Sequence, residues 1–148
     1  MKKKLLIIGK GNQSFLINSD KNFTKKYSST KCIEINNKKN SLEELTNVDI
    51  KKSEFLIAIG NNYLRESISI LLKKKFNKIQ WATYIAKSSN LKNKVKVFPG
   101  SMIMENVLLN ENVVIGKHVL INSGSIIEHD NTFDDYSSCG PGVITGGE

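Results

Sequence analysis

The sequence lacks the features that mark secreted, membrane-spanning or metal-rich proteins. No apolar run approaches the roughly 18 residues that a membrane-spanning helix requires. No secretory signal follows the lysines at the start of the chain. The two cysteines, Cys32 and Cys139, are far apart and show no metal-type spacing. We therefore expect a reduced, cytoplasmic protein without membrane insertion and without a metal site.

Arginine and stacking aromatic residues are scarce, although the chain is basic with a formal net charge of +8. Of the 22 basic residues only Arg65 is an arginine, and aromatic residues make up 7% of the chain. The charge is also uneven, because residues 1–96 carry 21 basic and seven acidic side chains, whereas residues 97–148 carry one lysine and seven acids. Surfaces that read bases or clamp phosphates use more arginine and more aromatic stacking. These observations argue against nucleic-acid binding.

The 148 residues, 39% of them apolar, suffice for one ordinary domain or two small ones with a buried core. Residues 1–82 alternate strand and helix signals. Strands are predicted at Lys4–Ile8, Lys31–Asn36 and Glu54–Ile59, the first and third of which run into glycine-containing turns. This order predicts a small parallel α/β sheet of Rossmann type.

Two helices are predicted in the same region. A capping box at Ser41–Glu44 opens a short helix, since Glu44 can reach back to the Ser41 amide. Further along, apolar residues recur at helical spacing and three lysines suit the negative end of that helix. The spaced apolar residues are Leu64, Ile68, Leu71 and Leu72.

From residue 83 onward an internal repeat of six residues dominates the sequence. An apolar or small residue recurs at every sixth position: Ile85, Leu91, Val97, Ile103, Leu109, Ile115, Ile121, Ile127, Phe133, Cys139 and Thr145. Four residues after most of these lies a second column of serine and valine, which only Asn131 interrupts. Three six-residue strands make one triangular coil, and stacked coils bury both columns. Residues 83–148 are therefore predicted to form a parallel β-helix.

A third column supports this architecture. Three residues after the apolar positions stand residues that mostly tolerate a left-handed backbone: Gly100, Asn106, Asn112, His118, Gly124, Asp130, Tyr136 and Gly142. We expect these residues at the corners of the coil, so that His118 has a structural role. His129 lies two residues after inward-facing Ile127 and should therefore point outward.

The six-residue repeat resembles that of the left-handed β-helix acyltransferases. The segment from Ile121 to Asp130, INSGSIIEHD, is similar to the active-site segment of bacterial sugar acyltransferases related to sialic-acid O-acetyltransferase and to the N-acetyltransferase of bacillosamine biosynthesis. Gly9, Gly11 and the segment Phe55–Asn62 (FLIAIGNN) resemble the sugar-nucleotide loops of that family. The resemblance covers essentially the whole chain. It implies a Rossmann-like nucleotide-sugar domain at 1–82 and a left-handed β-helix at 83–148.

The resemblance implies transfer of an acetyl group from acetyl-CoA to an amine or hydroxyl of a nucleotide-linked or acidic sugar, in bacterial glycan biosynthesis. By motif position, His129 would be the general base, Asp130 its acidic neighbour and Asn122 an active-site asparagine. A neutral imidazole near pH 7 suits proton removal from an attacking amine. The resemblance also implies a cytoplasmic homotrimer with sites between neighbouring prisms. The alternative role for Asp130 is that of a simple turn residue with a left-handed backbone conformation.

The resemblance also assigns the remaining site residues. It places the nucleotide-sugar at six positions: Gly9, Gly11, Asn12, Asn36, Gly60 and Asn61. Ser138 and Gly147 occupy positions that contact acetyl-CoA. The sequence departs from the family at two of these positions, because Asn36 stands where acidic residues are common and Ser138 stands where the family often has a second histidine.

The end of the chain also differs from the family pattern. The sequence stops within the repeat, at Gly146-Gly147-Glu148, and this favours a truncated chain with an incomplete β-helix. The alternative to the enzyme is therefore a non-catalytic module that binds a nucleotide-sugar or serves in assembly. A β-helix carbonic anhydrase needs three histidine ligands per zinc, and the two histidines present argue against it.

Overall fold

The computed structural model describes residues 1–35 and 44–147, and the chain divides into two compact units, Met1–Ala82 and Thr83–Glu148. The predicted capping box lies almost wholly at residues 36–43, outside the described residues, as does the predicted substrate residue Asn36.

The first unit is built on a three-stranded parallel sheet. Its strands are β1 (Lys4–Ile8), β2 (Ser29–Ile33) and β3 (Ser53–Ile57), in the order β2-β1-β3. The predicted bounds of β1 are confirmed, whereas β2 and β3 begin and end earlier than predicted. Pairing explains the shift, because both outer strands align residue for residue with Lys4–Ile8. The strands therefore end where β1 ends, although further apolar residues follow them in the sequence. The unit is thus of the α/β class, and its finer assignment as Rossmann-like remains a prediction.

In the part of this unit that the structure describes, three α-helices accompany the sheet. Helices α1 (Asn12–Ser19) and α2 (Lys21–Thr24) connect β1 to β2, and a 3-10 helix at Ile50–Lys52 leads into β3. Helix α3 (Asn62–Lys75) follows β3 and has lysines in its last turn, as predicted. Of its predicted apolar residues, Ile68 and Leu72 are buried in the core, but Leu64 and Leu71 are partly exposed.

Residues 83–147 of the second unit contain ten two-residue strands, which are joined by turns. They are β4 (Tyr84–Ile85), β5 (Asn90–Leu91), β6 (Lys96–Val97), β7 (Met102–Ile103), β8 (Leu108–Leu109), β9 (Val114–Ile115), β10 (Leu120–Ile121), β11 (Ile126–Ile127), β12 (Thr132–Phe133) and β13 (Ser138–Cys139). They form three parallel sheets, ordered β13-β10-β7-β4, β11-β8-β5 and β12-β9-β6. Each strand pairs with strands one coil of 18 residues away, as Ile121 does with Ile103. This arrangement fits the predicted left-handed β-helix.

The two predicted columns form the interior of this unit. The middle part of the β-helix has a fully buried first column, in which five residues are each 0% exposed: Ile103, Leu109, Ile115, Ile121 and Ile127. Valines of the second column pack against them. Serines of that column donate their hydroxyl hydrogens to backbone carbonyls. Ser101 Oγ, for example, donates to Gly116 O at 2.6 Å. Burial of these small apolar residues, at about 25 cal/mol per Å², is the main force holding the coils together.

The predicted corner residues are confirmed, since all eight have positive φ, from 55° at His118 to 86° at Gly100. His118 is also buried, and its ring stacks on Tyr136 of the next coil with a centroid distance of 5.1 Å and an interplanar angle of 2°. Gly100 lies at the same corner one coil earlier, where a Cβ atom would overlap the His118 ring. His118 thus has the structural role expected of it.

Candidate active site

The corner after β11 carries an imidazole–carboxylate pair. His129 Nδ1 lies 2.7 Å from Asp130 Oδ2, and the two side chains are 53% and 46% exposed. Because a carboxylate oxygen only accepts, Nδ1 carries the hydrogen, and a neutral His129 then has its lone pair on Nε2. The left-handed backbone of Asp130, with φ of 64°, directs the chain around the corner at this point. The outward orientation predicted for His129 is confirmed.

The neighbouring coil holds the other oxygen of the carboxylate. Asn112 Nδ2 donates to Asp130 Oδ1 at 2.9 Å from the same corner one coil earlier. The hydrogen bond from His129, and after it the one from Asn112, holds the pKa of Asp130 below its ordinary value. Asp130 is therefore ionised at neutral pH and orients the imidazole. Asp130 is thus both a left-handed turn residue and the carboxylate neighbour of His129.

We expect the titration of Asp130 to report these two hydrogen bonds. Its carboxyl carbon, followed by NMR, should titrate below the ordinary aspartate value of about 3.9. The His129→Ala change should raise this midpoint more than Asn112→Ala, because His129 is the larger cause. A folded-state pKa below the unfolded value adds stability that is present above about pH 4 and lost as the pH falls through the folded value. Equal midpoints in all three proteins would contradict this assignment.

Backbone of the last described coil lies against the other edge of the imidazole. A Cβ atom built on Gly147 would lie 2.6 Å from His129 Nε2, so only glycine leaves the ring in its present position. The Asn131 side chain joins the same two segments, because its Nδ2 donates to Gly146 O at 2.7 Å and to Glu128 O at 3.1 Å. Asn131, which interrupts the serine–valine column, thereby ties the His129 corner to the Gly146–Gly147 backbone.

A methyl group at residue 147 should therefore displace His129. We expect Gly147→Ala to lower the turnover of the acetyl transfer proposed below by about tenfold to 100-fold, because small misplacements of a reacting group are costly. Gly146→Ala is the matched control, since a Cβ there meets nothing within 4 Å. Steady-state kinetics of both variants make the comparison, and equal turnover would contradict the placement of Gly147.

Two other predicted site residues of this unit, Asn122 and Ser138, are not part of the His129–Asp130 pair. Asn122 is half-buried, and its Oδ1 accepts from the Ser123 amide at 2.9 Å, within its own turn. Ser138 lies in β13, which belongs to the sheet of β10, whereas His129 follows β11 of another sheet. The roles predicted for Asn122 and Ser138 remain predictions.

The predicted substrate residues that the structure describes follow the carboxyl ends of β1 and β3, at one edge of the sheet. The chain passes from β1 to β2 on one side and then to β3 on the other. The carboxyl ends of β1 and β3 thus flank a topological switch point, where open α/β sheets bind ligands. Gly9 and Gly11 follow β1, and Gly60 follows β3.

Three local features shape this edge. Gly9 has φ of 127°, and a Cβ there would lie 2.7 Å from the carbonyl oxygen of Ala58, so the two loops touch. Gly11 is the N-cap of α1, which begins at Asn12, and Asn61 caps α3 by accepting from the Leu64 amide at 2.9 Å. The N-termini of both helices therefore bring a partial positive charge to this edge.

Sequence reasoning missed three residues of these sites. The repeat predicts Asn112 only as a corner residue. Its spacing of 18 residues from Asp130, one whole coil, could have indicated the hydrogen bond between the two side chains. The Gln13 side chain lies beside the Gly60 Cα, where a Cβ would be 3.5 Å from its Nε2. Arg65 is buried beneath the Gly60 loop. No spacing rule points to the last two. The Gln13 contact joins two separate loops, and the contacts of Arg65 with the loop before it follow no helical or strand period.

Within residues 1–35 and 44–147, no group of three histidine, cysteine, aspartate or glutamate side chains is arranged to hold a metal ion. In the same part of the chain, none of the helices has the length and apolar character needed to cross a membrane.

Solved structures share the fold of this chain, whereas the comparisons by sequence found no match. No protein-family model matches the sequence, and no curated protein matches it. The acetyltransferase domain of PglB from Neisseria gonorrhoeae, solved with acetyl coenzyme A, is 16% identical with a TM-score of 0.82, over 97% of this chain and 73% of that one. A mutant of GDP-perosamine N-acetyl transferase from Caulobacter crescentus, solved with CoA and GDP-perosamine, is 18% identical with a TM-score of 0.78, over 97% and 71%. The resemblance to bacterial sugar acetyltransferases is thus confirmed at the level of the fold.

Proposed function

We propose that this protein is an acetyltransferase that moves an acetyl group from acetyl-CoA to an amine or hydroxyl of a nucleotide-linked sugar. The observation that carries the proposal is the exposed His129–Asp130 pair at a corner of the β-helix. The fold is shared with two enzymes whose structures contain acetyl-CoA, or CoA with GDP-perosamine. An exposed imidazole oriented by a carboxylate is suited to general-base catalysis at neutral pH.

In the proposed reaction the sugar amine or hydroxyl attacks the thioester carbonyl carbon. A C–N or C–O bond forms, His129 Nε2 takes the proton of the nucleophile, and the C–S bond then breaks. The thiolate of CoA leaves and takes up the proton from the imidazolium, so that the products are the acetylated sugar and free CoA. Asp130 stabilises the imidazolium while it exists, because its carboxylate lies 2.7 Å from Nδ1.

Three residues have proposed roles around this base. The backbone of Gly147 lies close to Nε2, and we propose that its amide contacts acetyl-CoA. Ser138 is proposed to contact the same co-substrate and Asn122 to help orient the sugar, on the resemblance alone. Backbone amides of the glycine-containing coils are suited to hold the oxyanion that develops on the thioester carbonyl.

For the first unit we propose binding of the nucleotide part of the sugar at the switch point of a Rossmann-like sheet. Gly9 and Gly11 allow close approach of a ligand to the backbone after β1. Gly60 and Asn61 do so after β3, and the N-termini of α1 and α3 favour a negatively charged phosphate. Asn12, the first residue of α1, is proposed to contact the ligand through its amide. Asn36 has no structural support, because it lies outside the described residues.

We also propose that the working form is a homotrimer. About half of the surface of the His129 side chain is exposed. The base is therefore accessible to a groove on a second copy of the chain. Light scattering coupled to size-exclusion chromatography measures the mass in solution. A fully active monomer would contradict this arrangement.

A thiol-release assay tests the proposed activity. Free CoA is measured after mixing the protein with acetyl-CoA and a panel of UDP- and GDP-linked amino sugars and their hydroxyl analogues. We expect release that depends on one of these sugars. Nucleotide-sugar binding by calorimetry without any thiol release would favour the non-catalytic binding module instead.

A further inference from the structure

Arg65 is the single arginine of the chain and is 0% exposed. It lies on α3 and makes the usual helical bond to the Asn61 carbonyl at 3.0 Å. Burying a charged side chain is costly, so a protein that retains one needs hydrogen bonds that compensate. The contacts of the Arg65 guanidinium therefore indicate what it holds in place.

The guanidinium holds the loop between β3 and α3. Nη1 donates to the carbonyl of Ile59 at 2.7 Å and to that of Gly60 at 3.1 Å. Nη2 donates to Asn62 Oδ1 at 2.8 Å. The planar fork thus fastens three residues of one loop, because the carbonyls of Ile59 and Gly60 and the side chain of Asn62 all accept from the guanidinium.

A lysine at this position cannot make the same set of contacts. An ammonium is a single point of attachment on a flexible stem, whereas the guanidinium presents five donors in fixed directions. Burial lowers the pKa of Arg65 to about 10, which leaves the side chain protonated at neutral pH. Arg65 therefore combines a fixed loop geometry with a positive charge beneath it.

The loop that Arg65 holds contains two of the proposed substrate residues, Gly60 and Asn61. It lies at the switch point, where the Gln13 side chain approaches Gly60 from the β1–α1 side. We propose that Arg65 is a positioning residue that holds the Ile59–Asn62 loop in the form that receives the diphosphate of a nucleotide-sugar. This inference rests on the proposed function, since the diphosphate is the ligand that the function supplies. The buried positive charge also favours an anion over a neutral ligand at this edge.

Arg65→Lys and Arg65→Met test the proposal, with Lys74→Met as the matched control that removes one positive charge from the exposed surface of α3. Calorimetry measures binding of GDP and UDP, and hydrogen exchange follows the amides of the Ile59–Asn62 loop. We expect Arg65→Lys to weaken nucleotide binding about tenfold, because charge-assisted hydrogen bonds are lost. Exchange in the loop should become faster, and the KM for acetyl-CoA should change by less than about twofold.

The outcomes separate Arg65 from the proposed function itself. Unchanged nucleotide affinity and unchanged loop exchange in a folded Arg65→Lys protein would overturn the proposal, as would equal rises in KM for both substrates. If the wild type binds neither nucleotide, the proposed ligand fails, and loop exchange alone decides whether Arg65 positions the loop. If Arg65→Met does not fold, Arg65→Lys decides.

Discussion

Replacement of His129 by alanine should lower the turnover of acetyl transfer by about 100-fold to 10,000-fold, the range that positioned general bases contribute. The physical reason is that the alanine variant lacks Nε2, the atom that takes the proton of the attacking nucleophile in the proposed reaction. The measurement is steady-state release of CoA on the sugar that gives the highest wild-type rate. The KM for acetyl-CoA should change little, because the imidazole acts on the nucleophile.

The chain offers a matched control for this change. Glu111 occupies the repeat position of His129 one coil earlier, and its side chain is also exposed. We expect Glu111→Ala to keep wild-type turnover. Glu111→Ala should unfold at the wild-type temperature, and His129→Ala should lose only the stability that its hydrogen bond to Asp130 contributes, so both variants remain folded in the assay. Wild-type turnover in His129→Ala would refute the general-base assignment.

Replacement of Gly9 by alanine should lower the free energy of unfolding of the first unit by about 2–4 kcal/mol. Two causes act together. The φ of 127° is a conformation that side chains rarely adopt, and a Cβ atom would lie 2.7 Å from the carbonyl oxygen of Ala58 and 3.1 Å from the Ile59 side chain. The β1–α1 and β3–α3 loops would have to separate. Chemical denaturation, followed by the fluorescence of Trp81 in the same unit, measures the loss.

Gly11→Ala is the control for Gly9→Ala, because it adds the same methyl group two residues away. Its φ is −86°, and a Cβ there meets only Gln13 Oε1 at 4.0 Å. We expect Gly11→Ala to cost no more than about 1 kcal/mol, the usual range for a change at a helix N-cap. Similar losses for both variants would contradict the tight contact of Gly9 with the β3–α3 loop.

The parts of the fold that repeat in sequence were predictable, and the parts fixed by single tertiary contacts were not. The columns through Ile103 and Ile121 identify the β-helix, because each coil meets its neighbour at a constant spacing. The same regularity predicts the left-handed corner at His118. The burial of its ring was not predictable, since it depends on Gly100 and Tyr136 in neighbouring coils.

The sheet and the candidate site show the same division. The ends of β2 and β3 follow from pairing with β1 and not from their own apolar residues, so their predicted bounds were displaced. His129 and Asp130 could be identified as adjacent residues in a motif. The places of Asn131 and Arg65 could not, because an amide or a guanidinium that fastens backbone carbonyls leaves no periodic signal in the sequence.

The constant spacing of 18 residues between contacting strands also restricts how this site can change by insertion or deletion. Asn112 reaches Asp130 because one whole coil separates them. Removing a single residue between them would turn every later inward side chain away from its column and break the contacts of the His129 corner with the coils on either side. Loss or gain of a complete coil preserves the phase of every side chain. Length variation around this site is therefore tolerated in steps of whole coils, while the site itself can vary only by substitution.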